Sequence, residues 1–593
     1  MYIIYTFLRG ECIVFAETSR GRNGTEIILT LFLSLFYIFF RGLGLARRLL
    51  IKRFKRMMDI RKGCKAMKVI RAEEVSGLIK DGDTIMYTGI TLGGFAEEAL
   101  VEMEKSYLET GHPRDLTMYW QSATGNRGDR GLAHAAHEGF LKRGVGGHLN
   151  GCGPSMTEFS RDNKAEIFNF PQGVMSVMCR HIAAHTPGVI TKIGLKSMMD
   201  PRVDGGCMNE KAKNASPLVE LIELQGEEWL WYKLPKLDVT LIRGTVADTK
   251  GNISCYKEGY KLGQLSAAEA ARACGGIVIC QVENIVEAGS IKPRDVIVPG
   301  ILIDYVFVSK PEYHWQTSKT YYNPVFSGEI RVPLDAIPFE KLSARKVIAR
   351  RAAMELTKGA IVNLGVGIPE AVSSVAAEEG CGDYITLTTE AGGIGGVPAS
   401  SHDFGCCWNA EATIEMADEF DMYDGGALDL GVLGVLQVGP NGNVNVSKRN
   451  GEGLGVGGFL NVAGGASKVV FAATFTGGLH KGEGPAYEIG NGHIKVTKEG
   501  NSRKFVNEIE QISFNGEASL AQGKKIMYVT ERCVFELVGE GLILTEIAPG
   551  VDLQKDILDQ MDFAPMISEN LELMPAELFN EEWGGLKRLM DKE

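Results

Sequence analysis

Apolar segments of strand length alternate along this chain with glycine-rich turns and with segments of helical periodicity. Residues 383–389 form one such run, which ends in the carboxylate Glu390 and continues into Ala-Gly-Gly-Ile-Gly-Gly. Residues 360–364 form another, followed by a glycine turn and a helical stretch over residues 370–379. Strands that alternate with helices are typical of parallel sheets with helices on both faces, so we predict an α/β fold.

The same order of elements occurs twice, which predicts two related α/β domains. A turn, an apolar strand and a glycine open the two halves at residues 80–90 and 358–366. Apolar strands predicted over residues 239–242 and 432–438 each precede a Gly-Asn turn, at Gly251 and Gly442. Residues 310–342 lack periodicity and are the expected linker. We therefore predict domains over residues 67–309 and 343–575, a tail over 576–593, and an active site between the domains.

Glu390 is a candidate catalytic residue, because ligands of open α/β sheets bind outside the carboxyl ends of the strands. Two alternatives fit the same residues. A glutamate before two glycines is often a solvated turn residue. In addition, Gly365 and Gly367 followed by an acid at a strand end imitate a dinucleotide-binding fingerprint, in which that acid holds a ribose. The fingerprint needs a third small residue where this chain has Glu370, which weakens the second alternative.

Composition and charge narrow the class of function. At 593 residues the chain is too long for a single core. Its formal charge of −11 argues against a nucleic-acid partner, because no basic face would neutralise phosphates. The 12 cysteines show neither a C-x-x-C motif nor zinc spacing, so we expect reduced, buried thiols in the cytoplasm. His181 and His185 are four residues apart and are expected to be structural, and no metal site is predicted.

The first 57 residues differ from the rest of the chain. Residues 27–40 form a nearly uninterrupted apolar run, and a basic cluster follows over residues 47–56. The run is shorter than the ~20 residues that span a bilayer, and no signal-peptide cleavage site is evident. As a membrane anchor, it would leave the large domains cytoplasmic. We favour a start at Met57, Met58 or Met67, because the pattern of a globular domain begins at Met67.

A set of six motifs indicates a specific protein family. The motifs are Gly365-Val-Gly-Ile-Pro369, Thr389-Glu-Ala-Gly-Gly393, Tyr423-Asp-Gly-Gly-Ala-Leu-Asp-Leu430, Gly455-Val-Gly-Gly-Phe459, Tyr528-Val-Thr-Glu-Arg532 and Leu544-Thr-Glu-Ile-Ala-Pro-Gly-Val-Asp552. With the paired halves, they resemble family I coenzyme A transferases, most strongly the fused single-chain acetate/propionate CoA-transferase branch. The resemblance extends from about residue 67 to residue 568. It implies two open α/β/α domains with mainly parallel sheets.

The resemblance also implies roles for matching residues. Glu390 matches the family's nucleophilic glutamate, and Gln172 matches a glutamine whose amide helps to form the oxyanion hole. The backbone N–H that completes this hole falls at Gly457 or Gly458. The loop that lines the site for CoA and the acyl group is matched by Gly365, Val366, Gly367, Ile368 and Pro369. One departure from the family pattern follows Gly93-Gly-Phe95, where the chain continues Ala-Glu-Glu-Ala, and it leaves the role of that loop open.

The expected reaction moves CoA between short-chain acyl-CoA and carboxylates such as acetate, propionate, butyrate and lactate. Glu390 would attack the acyl-CoA carbonyl, giving an anhydride and a thiolate that returns to form a glutamyl-CoA thioester. This chemistry needs no metal or tightly bound cofactor, because the carboxylate and the thiolate already carry the negative charge, and coenzyme A is a substrate. A glutamate of ordinary pKa is already ionised at neutral pH, and we expect this of Glu390.

Two other enzyme classes remain as alternatives. A short-chain acyl-CoA hydrolase would share the fold and Glu390 but admit water to the thioester. A dinucleotide-dependent oxidoreductase would use the Gly365 loop, or Gly453, Gly455 and Gly458, which also fit a Gly-x-Gly-x-x-Gly pattern. We expect a cytoplasmic homo-oligomer, with membrane contact only if the N-terminal segment is part of the working protein.

Overall fold

The computed structural model describes residues 3–8, 11–16, 67–333, 340–480 and 482–592. Residues Met1–Cys64 and Lys65–Glu593 form two compact units. In the first unit, Ile3–Leu8 and Glu11–Ala16 pair as an antiparallel hairpin. The predictions for the apolar run at residues 27–40 and for a start at Met57 or Met58 lie outside the described residues. Within the described ranges, no helix is both long and apolar enough to cross a membrane.

The first large sheet of the second unit is entirely parallel. Its eight strands are β1 Lys68–Val69, β2 Thr84–Tyr87, β3 Leu116–Trp120, β4 Leu141–Gly146, β5 Glu166–Asn169, β6 Val239–Arg243, β7 Ile277–Val282 and β8 Tyr305–Val308. Their spatial order is β1-β8-β7-β6-β2-β3-β4-β5, with every pair parallel. The helices between them are α1 Glu97–Thr110, α2 Pro154–Arg161, α3 Gln172–Ala183 and α4 Gln264–Cys274.

The second large sheet has a parallel centre with antiparallel pairs on both sides, and its last pair, Gly541–Ile547 with Met566–Leu573, is parallel again. Its strands are β9 Ile361–Leu364, β10 Thr386–Thr389, β11 Gly393–Ile394, β12 Ala412–Thr413, β13 Leu430–Leu433, β14 Lys468–Ala472, β15 Lys525–Val529, β16 Cys533–Val538, β17 Gly541–Ile547 and β18 Met566–Leu573. They lie in the order β12-β11-β10-β9-β13-β14-β15-β16-β17-β18, and β10 to β15 are parallel. The associated helices are α5 Ala344–Ala353, α6 Ala371–Glu378, α7 Met416–Asp424 and α8 Phe459–Gly465.

Shorter elements complete the described part of the chain. The short α-helices are Glu210–Lys213, Gly516–Ala521 and Leu586–Met590, and a π-helix is formed by Leu553–Ile557. Small sheets are formed by Val189–Thr191, Val219–Leu224 and Glu227–Tyr232; by Val246–Asp248, Ile253–Ser254 and Asn284–Val286; and by the pairs Val397–Pro398 with Cys407–Trp408, Gln437–Val438 with Val444–Asn445, Lys448–Arg449 with Glu452–Gly453, Thr476–Gly477 with Ser502–Arg503, and Ala486–Gly490 with His493–Lys498.

The predicted α/β fold with mainly parallel sheets is confirmed, and the two halves correspond in detail. In the first sheet β2 lies between β6 and β3, and in the second β9 lies between β10 and β13, so chain order reverses beside equivalent strands. Gly251 and Gly442, in the two matching turns, take φ of 84° and 73°. Such left-handed backbone favours glycine.

The strand predicted over residues 432–438 is wrong in extent. The structure ends β13 at Leu433 and begins a separate short strand at Gln437. Gly434 interrupts the run, and residues 434–436 line a cavity instead of continuing the sheet. An apolar run can therefore serve a binding site as well as a buried strand.

The two halves share packing as well as architecture. Val456 and Leu460, from the second half, belong to the buried cluster around the first sheet. Burying a leucine side chain stabilises a fold by roughly 1.5–3 kcal/mol. Residues 310–333 contact both halves: Gln316 Nε2 donates to the Lys257 carbonyl at 2.8 Å, and the Thr317 hydroxyl donates to Asp403 at 2.6 Å. The domain boundaries themselves stay predictions.

The histidine pair can now be placed, and the expectation that the cysteines are buried needs correction. Helix α3 ends at Ala183, and His185 lies beyond it with φ of 55°, so His181 and His185 do not share a helix face. Of the ten cysteines between residues 67 and 592, seven are buried, but Cys207, Cys255 and Cys274 are half-buried.

Candidate active site

A cavity of about 380 Å³ lies where carboxyl ends of strands from both sheets meet. From the first sheet, Ser122 follows β3, His148 follows β4 and Gln172 follows β5. From the second sheet, Glu390 follows β10 directly, and the Gly365 loop follows β9. Ligands of parallel α/β sheets bind at such ends, beside the strand where chain order reverses. The structure thus brings Glu390, Gln172, Gly457 and Gly458 to one cavity.

Glu390 lies against the backbone of Gly458. A Cβ atom built on Gly458 would overlap the Glu390 carboxylate, so the carboxylate occupies the space that any other residue at position 458 would fill. Burial raises the pKa of Glu390 to about 7, and a hydrogen bond from the Gly458 N–H opposes the shift. The expectation of an ordinary pKa is therefore wrong, because desolvation disfavours the charged form.

Gly457 and Gly458 have different backbone partners although they are adjacent. The Gly457 N–H donates to the Gly147 carbonyl at 2.8 Å, and the Gly457 carbonyl accepts from the Gln172 N–H at 2.9 Å. These bonds tie the loop to the first sheet. Gly457 has φ of 57°, whereas Gly458 has φ of −82° and directs its N–H toward Glu390. Helix α8 begins at the next residue.

Gln172 is the first residue of α3 and is 1% exposed. Its Oε1 accepts a hydrogen bond from the Ser122 hydroxyl at 2.8 Å, which fixes the orientation of the amide. Its Nε2 lies 3.4 Å from the sulfur of Met416, at the start of α7. A thioether is a weak acceptor, so this N–H group is available to a stronger acceptor in the cavity.

Buried polar residues support the elements that carry the site. The Tyr423 hydroxyl accepts from Asn363 Nδ2 at 3.0 Å and donates to Thr388 Oγ1 at 2.7 Å, linking α7 to β9 and β10 just before Glu390. Asn461 in α8 accepts from the Gly173 N–H at 3.1 Å, and its Nδ2 donates to Asp424 at 2.9 Å. These bonds hold α3, α7 and α8 in fixed relation around the cavity.

Four of the five predicted loop residues line the cavity: Gly365, Val366, Ile368 and Pro369. Gly367 has φ of 95° and makes the turn between them. By contrast, the Gly93 loop packs in the protein interior, where a Cβ at Gly93 would overlap Tyr260. The match at Gly453, Gly455 and Gly458 begins in a short antiparallel hairpin, not in a strand that leads to a helix, which weighs against a dinucleotide site.

The cavity also contains polar residues that the sequence analysis missed: Arg127, His148 and Lys504. Lys504 Nζ donates to Thr474 Oγ1 at 3.1 Å, and burial lowers the pKa of this lysine to about 8. His148 follows β4 after Gly146 and Gly147, but this strand contains Lys142 and Arg143 and so lacks the apolar run that singled out Glu390. Among the described residues, no group of three or more His, Cys, Asp or Glu is placed to hold a metal ion.

Comparison with known proteins identifies the family to which the chain belongs. Residues 69–309 match the family model described as coenzyme A transferase. The chain is 47% identical to caffeate CoA-transferase of Acetobacterium woodii over 531 residues, which covers 88% of this chain and 100% of that protein. It is 39% identical to acetate CoA-transferase YdiF of Escherichia coli K12 over 513 residues, covering 86% and 95% of the two chains.

A solved structure supports the same assignment. The crystal structure of the acyl-CoA transferase YdiF apoenzyme from E. coli O157:H7 superposes with a TM-score of 0.82 at 38% identity, covering 88% of this chain and 97% of that one. The same protein has been crystallised as a thioester complex with CoA. High identity over nearly the full length of these relatives, together with the shared fold, leads to one conclusion: this chain belongs to the coenzyme A transferase family.

Proposed function

We propose that the protein transfers coenzyme A between short-chain acyl-CoA and carboxylates through a thioester on Glu390. The observation that carries the proposal is the contact between the Glu390 carboxylate and Gly458, inside a cavity that also contains Gln172. A nucleophile and hydrogen-bond donors that converge on one space are the parts that acyl transfer needs. The relative crystallised as a thioester complex with CoA gives further support.

In the first step, a Glu390 oxygen forms a bond to the thioester carbon, and the carbon–sulfur bond breaks with its electron pair on sulfur. The products are an anhydride and a CoA thiolate. The thiolate then attacks the glutamyl carbonyl, which releases the free carboxylate and leaves CoA on Glu390. An incoming carboxylate reverses the two steps. Burial that raises the Glu390 pKa also removes water from the carboxylate, which makes the ionised form a stronger nucleophile.

Each step passes through a tetrahedral intermediate with a negatively charged oxygen. We assign its stabilisation to the Gln172 amide and to the Gly458 N–H. The N–H of Gly457 is less suited to this role, because it already donates to the Gly147 carbonyl. Gly458 has no such bond to a backbone carbonyl within the described structure, and its N–H faces the nucleophile.

The lining of the cavity bears on the acyl group that the enzyme transfers. The cavity walls are mainly apolar and include Val366, Phe404, Val435 and Phe459. Short-chain acids are favoured by the motif pattern and by the relative named acetate CoA-transferase. An aromatic acid is a second candidate, because a volume near 380 Å³ is within the range of pockets for larger ligands and another relative is a caffeate CoA-transferase.

We also propose the partners and the location of the enzyme. Coenzyme A acts as a substrate, and the chemistry requires no tightly bound cofactor or metal. The partners are acyl-CoA and carboxylates, without nucleic acid, and the enzyme is proposed to be a cytoplasmic homo-oligomer.

An exchange assay tests the transfer reaction. The protein is incubated with acetyl-CoA and, in turn, propionate, butyrate, lactate or caffeate, and the new acyl-CoA and free thiol are measured separately. We expect acceptor-dependent formation of a new acyl-CoA with little free thiol. Thiol release that does not depend on the acceptor would identify a hydrolase instead, and the preferred acceptor would distinguish the short-chain from the aromatic candidate.

A further inference from the structure

We propose that His148 is a further hydrogen-bond donor at the reacting centre, and that its Nε2–H donates to the acyl oxygen that becomes negatively charged when Glu390 attacks. The inference rests on the proposed transfer function and names one more residue of its machinery. It arises from the position of the imidazole ring, from the bond that fixes its tautomer, and from its convergence with Gln172.

His148 lies beside the other groups of the site. His148 follows β4 and lines the same cavity as Glu390 and Gln172. Its Cδ2 atom lies 3.5 Å from the point that a Cβ on Gly457 would occupy, and Gln172 Oε1 lies 3.8 Å from the same point. The imidazole edge and the amide therefore flank Gly457, next to the Gly458 N–H that faces Glu390. Because Cδ2 is bonded to Nε2, we infer that Nε2 lies on this same edge of the ring, which lines the cavity.

A hydrogen bond from Gly151 fixes the tautomer of the His148 ring. The Gly151 N–H donates to His148 Nδ1 at 3.1 Å, so Nδ1 acts as an acceptor and carries no proton. A neutral imidazole has its proton on the other nitrogen, here Nε2. The His148 carbonyl accepts from Trp120 Nε1 at 3.1 Å, which anchors the backbone at this residue. Burial, aided by the positive charge of Arg127, lowers the pKa of His148 to about 4, so the ring is neutral at pH 7.

A neutral N–H donor can stabilise the negative charge that develops on the acyl oxygen. As the Glu390 oxygen bonds to the acyl carbon, the carbonyl electron pair moves to oxygen, and a fixed N–H there stabilises the charge. When the oxyanion collapses, the carbon–sulfur bond breaks and the pair moves to sulfur. The Nε2 proton stays on the ring throughout, because a neutral imidazole donor is a very weak acid. His148 therefore acts as a donor and not as a general acid or base.

Two substitutions of His148 test the roles of the two ring nitrogens separately. His148→Asn keeps a polar atom near Nδ1 for the Gly151 N–H but has nothing at the position of Nε2. His148→Gln extends an amide N–H toward the position of Nε2. The measurement is the single-turnover rate of CoA attachment to Glu390 from acyl-CoA, with acyl-CoA affinity and thermal unfolding measured for each variant.

We expect His148→Asn to slow CoA attachment by about 10²- to 10³-fold, the usual effect of losing one oxyanion donor, with little change in affinity. His148→Gln should recover most of that loss, and the shape of the pH profile should be the same in all three proteins. An Asn variant as fast as the wild type, or Asn and Gln variants that are equally slow, would overturn the inference. So would the loss of a pH-dependent limb in the Asn variant, because that would indicate proton transfer.

The experiment also separates this inference from the function on which it rests. A wild-type protein that never attaches CoA to Glu390 would overturn both. A wild-type protein that attaches CoA, combined with an unaffected His148→Asn variant, would overturn the role of His148 alone.

Discussion

At the scale of single residues, the state of Glu390 is set by two opposing effects. Burial disfavours the carboxylate, and the hydrogen bond from the Gly458 N–H favours it. Burial is the larger effect, so the pKa rises to about 7 and a substantial fraction of the side chain is protonated at neutral pH. Only the ionised form attacks a thioester, and the site therefore has a built-in dependence on pH.

The pH dependence of kcat/KM checks this property. Because the raised pKa belongs to an acid that works as its anion, activity should increase as pH rises through about 7 and level off above it. Well below that point, each pH unit should change kcat/KM by about tenfold. A profile that is flat between pH 5 and pH 8 would contradict the account.

A second buried acid, Glu419, provides the control for the pH dependence of kcat/KM. Burial also raises the pKa of Glu419, in α7, to about 7, although this residue does not line the cavity. Glu419→Gln should leave the midpoint of the activity profile in place. A midpoint that disappears in this variant would assign the titration to Glu419 instead of Glu390.

At the scale of elements, the turn that leads into α8 gives a matched pair of substitutions. Gly458 has a φ that any residue adopts, but a Cβ there would overlap the Glu390 carboxylate. Gly457 has room for a methyl group, with its nearest neighbours at 3.5 and 3.8 Å, but it has φ of 57°. The two glycines are therefore required for different reasons. Gly458 leaves space for the Glu390 carboxylate, and Gly457 allows the left-handed backbone conformation.

We expect Gly458→Ala to fold with nearly unchanged stability and to lose most of its turnover, because the carboxylate must move. Gly457→Ala should lower the free energy of unfolding by about 1–2 kcal/mol, the cost of left-handed backbone for a residue with a Cβ, and retain more turnover. Thermal unfolding and the exchange assay measure both effects. The opposite ranking of the two variants in turnover would show that the Gly458 contact with Glu390 does not control the reaction.

The sequence indicated much of this element-level arrangement. An apolar strand that ends in a carboxylate and glycines predicted the position of Glu390, because strand ends are local features. The interruption of the strand after Leu433 was missed, since apolar residues that line a cavity have the same pattern as buried strand residues. His148 was missed because its proposed role as a donor depends on its position beside Gly151, Gln172 and Gly457, which only the fold brings together. The shifted pKa of Glu390 likewise depends on burial that only the packed structure defines.

At the scale of the whole molecule, the cavity needs both halves of the chain. Gln172 and His148 come from the first sheet, and Glu390 and Gly458 from the second. Direct bonds join the halves beside the cavity, such as that from the Gln172 N–H to the Gly457 carbonyl. The donors and the nucleophile are thus aligned by the packing of the two sheets, not by one element alone.

All of these cavity residues lie within residues 67–593. A chain that begins at Met67 should therefore match the full-length protein in kcat, KM and thermal unfolding. Side-by-side purification and the exchange assay make the comparison. A large loss of activity or stability in the shorter chain would show that the preceding segment contributes to the working enzyme.

The central claim is that Glu390 carries CoA during the reaction, and direct detection of that adduct tests it. Protein incubated with acyl-CoA and no acceptor should gain the mass of CoA at the peptide containing Glu390, and borohydride should convert the thioester to an alcohol. Glu390→Gln should lose both the adduct and essentially all transfer, because a neutral amide does not attack the thioester. A wild-type protein without the adduct, or a Glu390→Gln protein that still transfers CoA, would contradict the account.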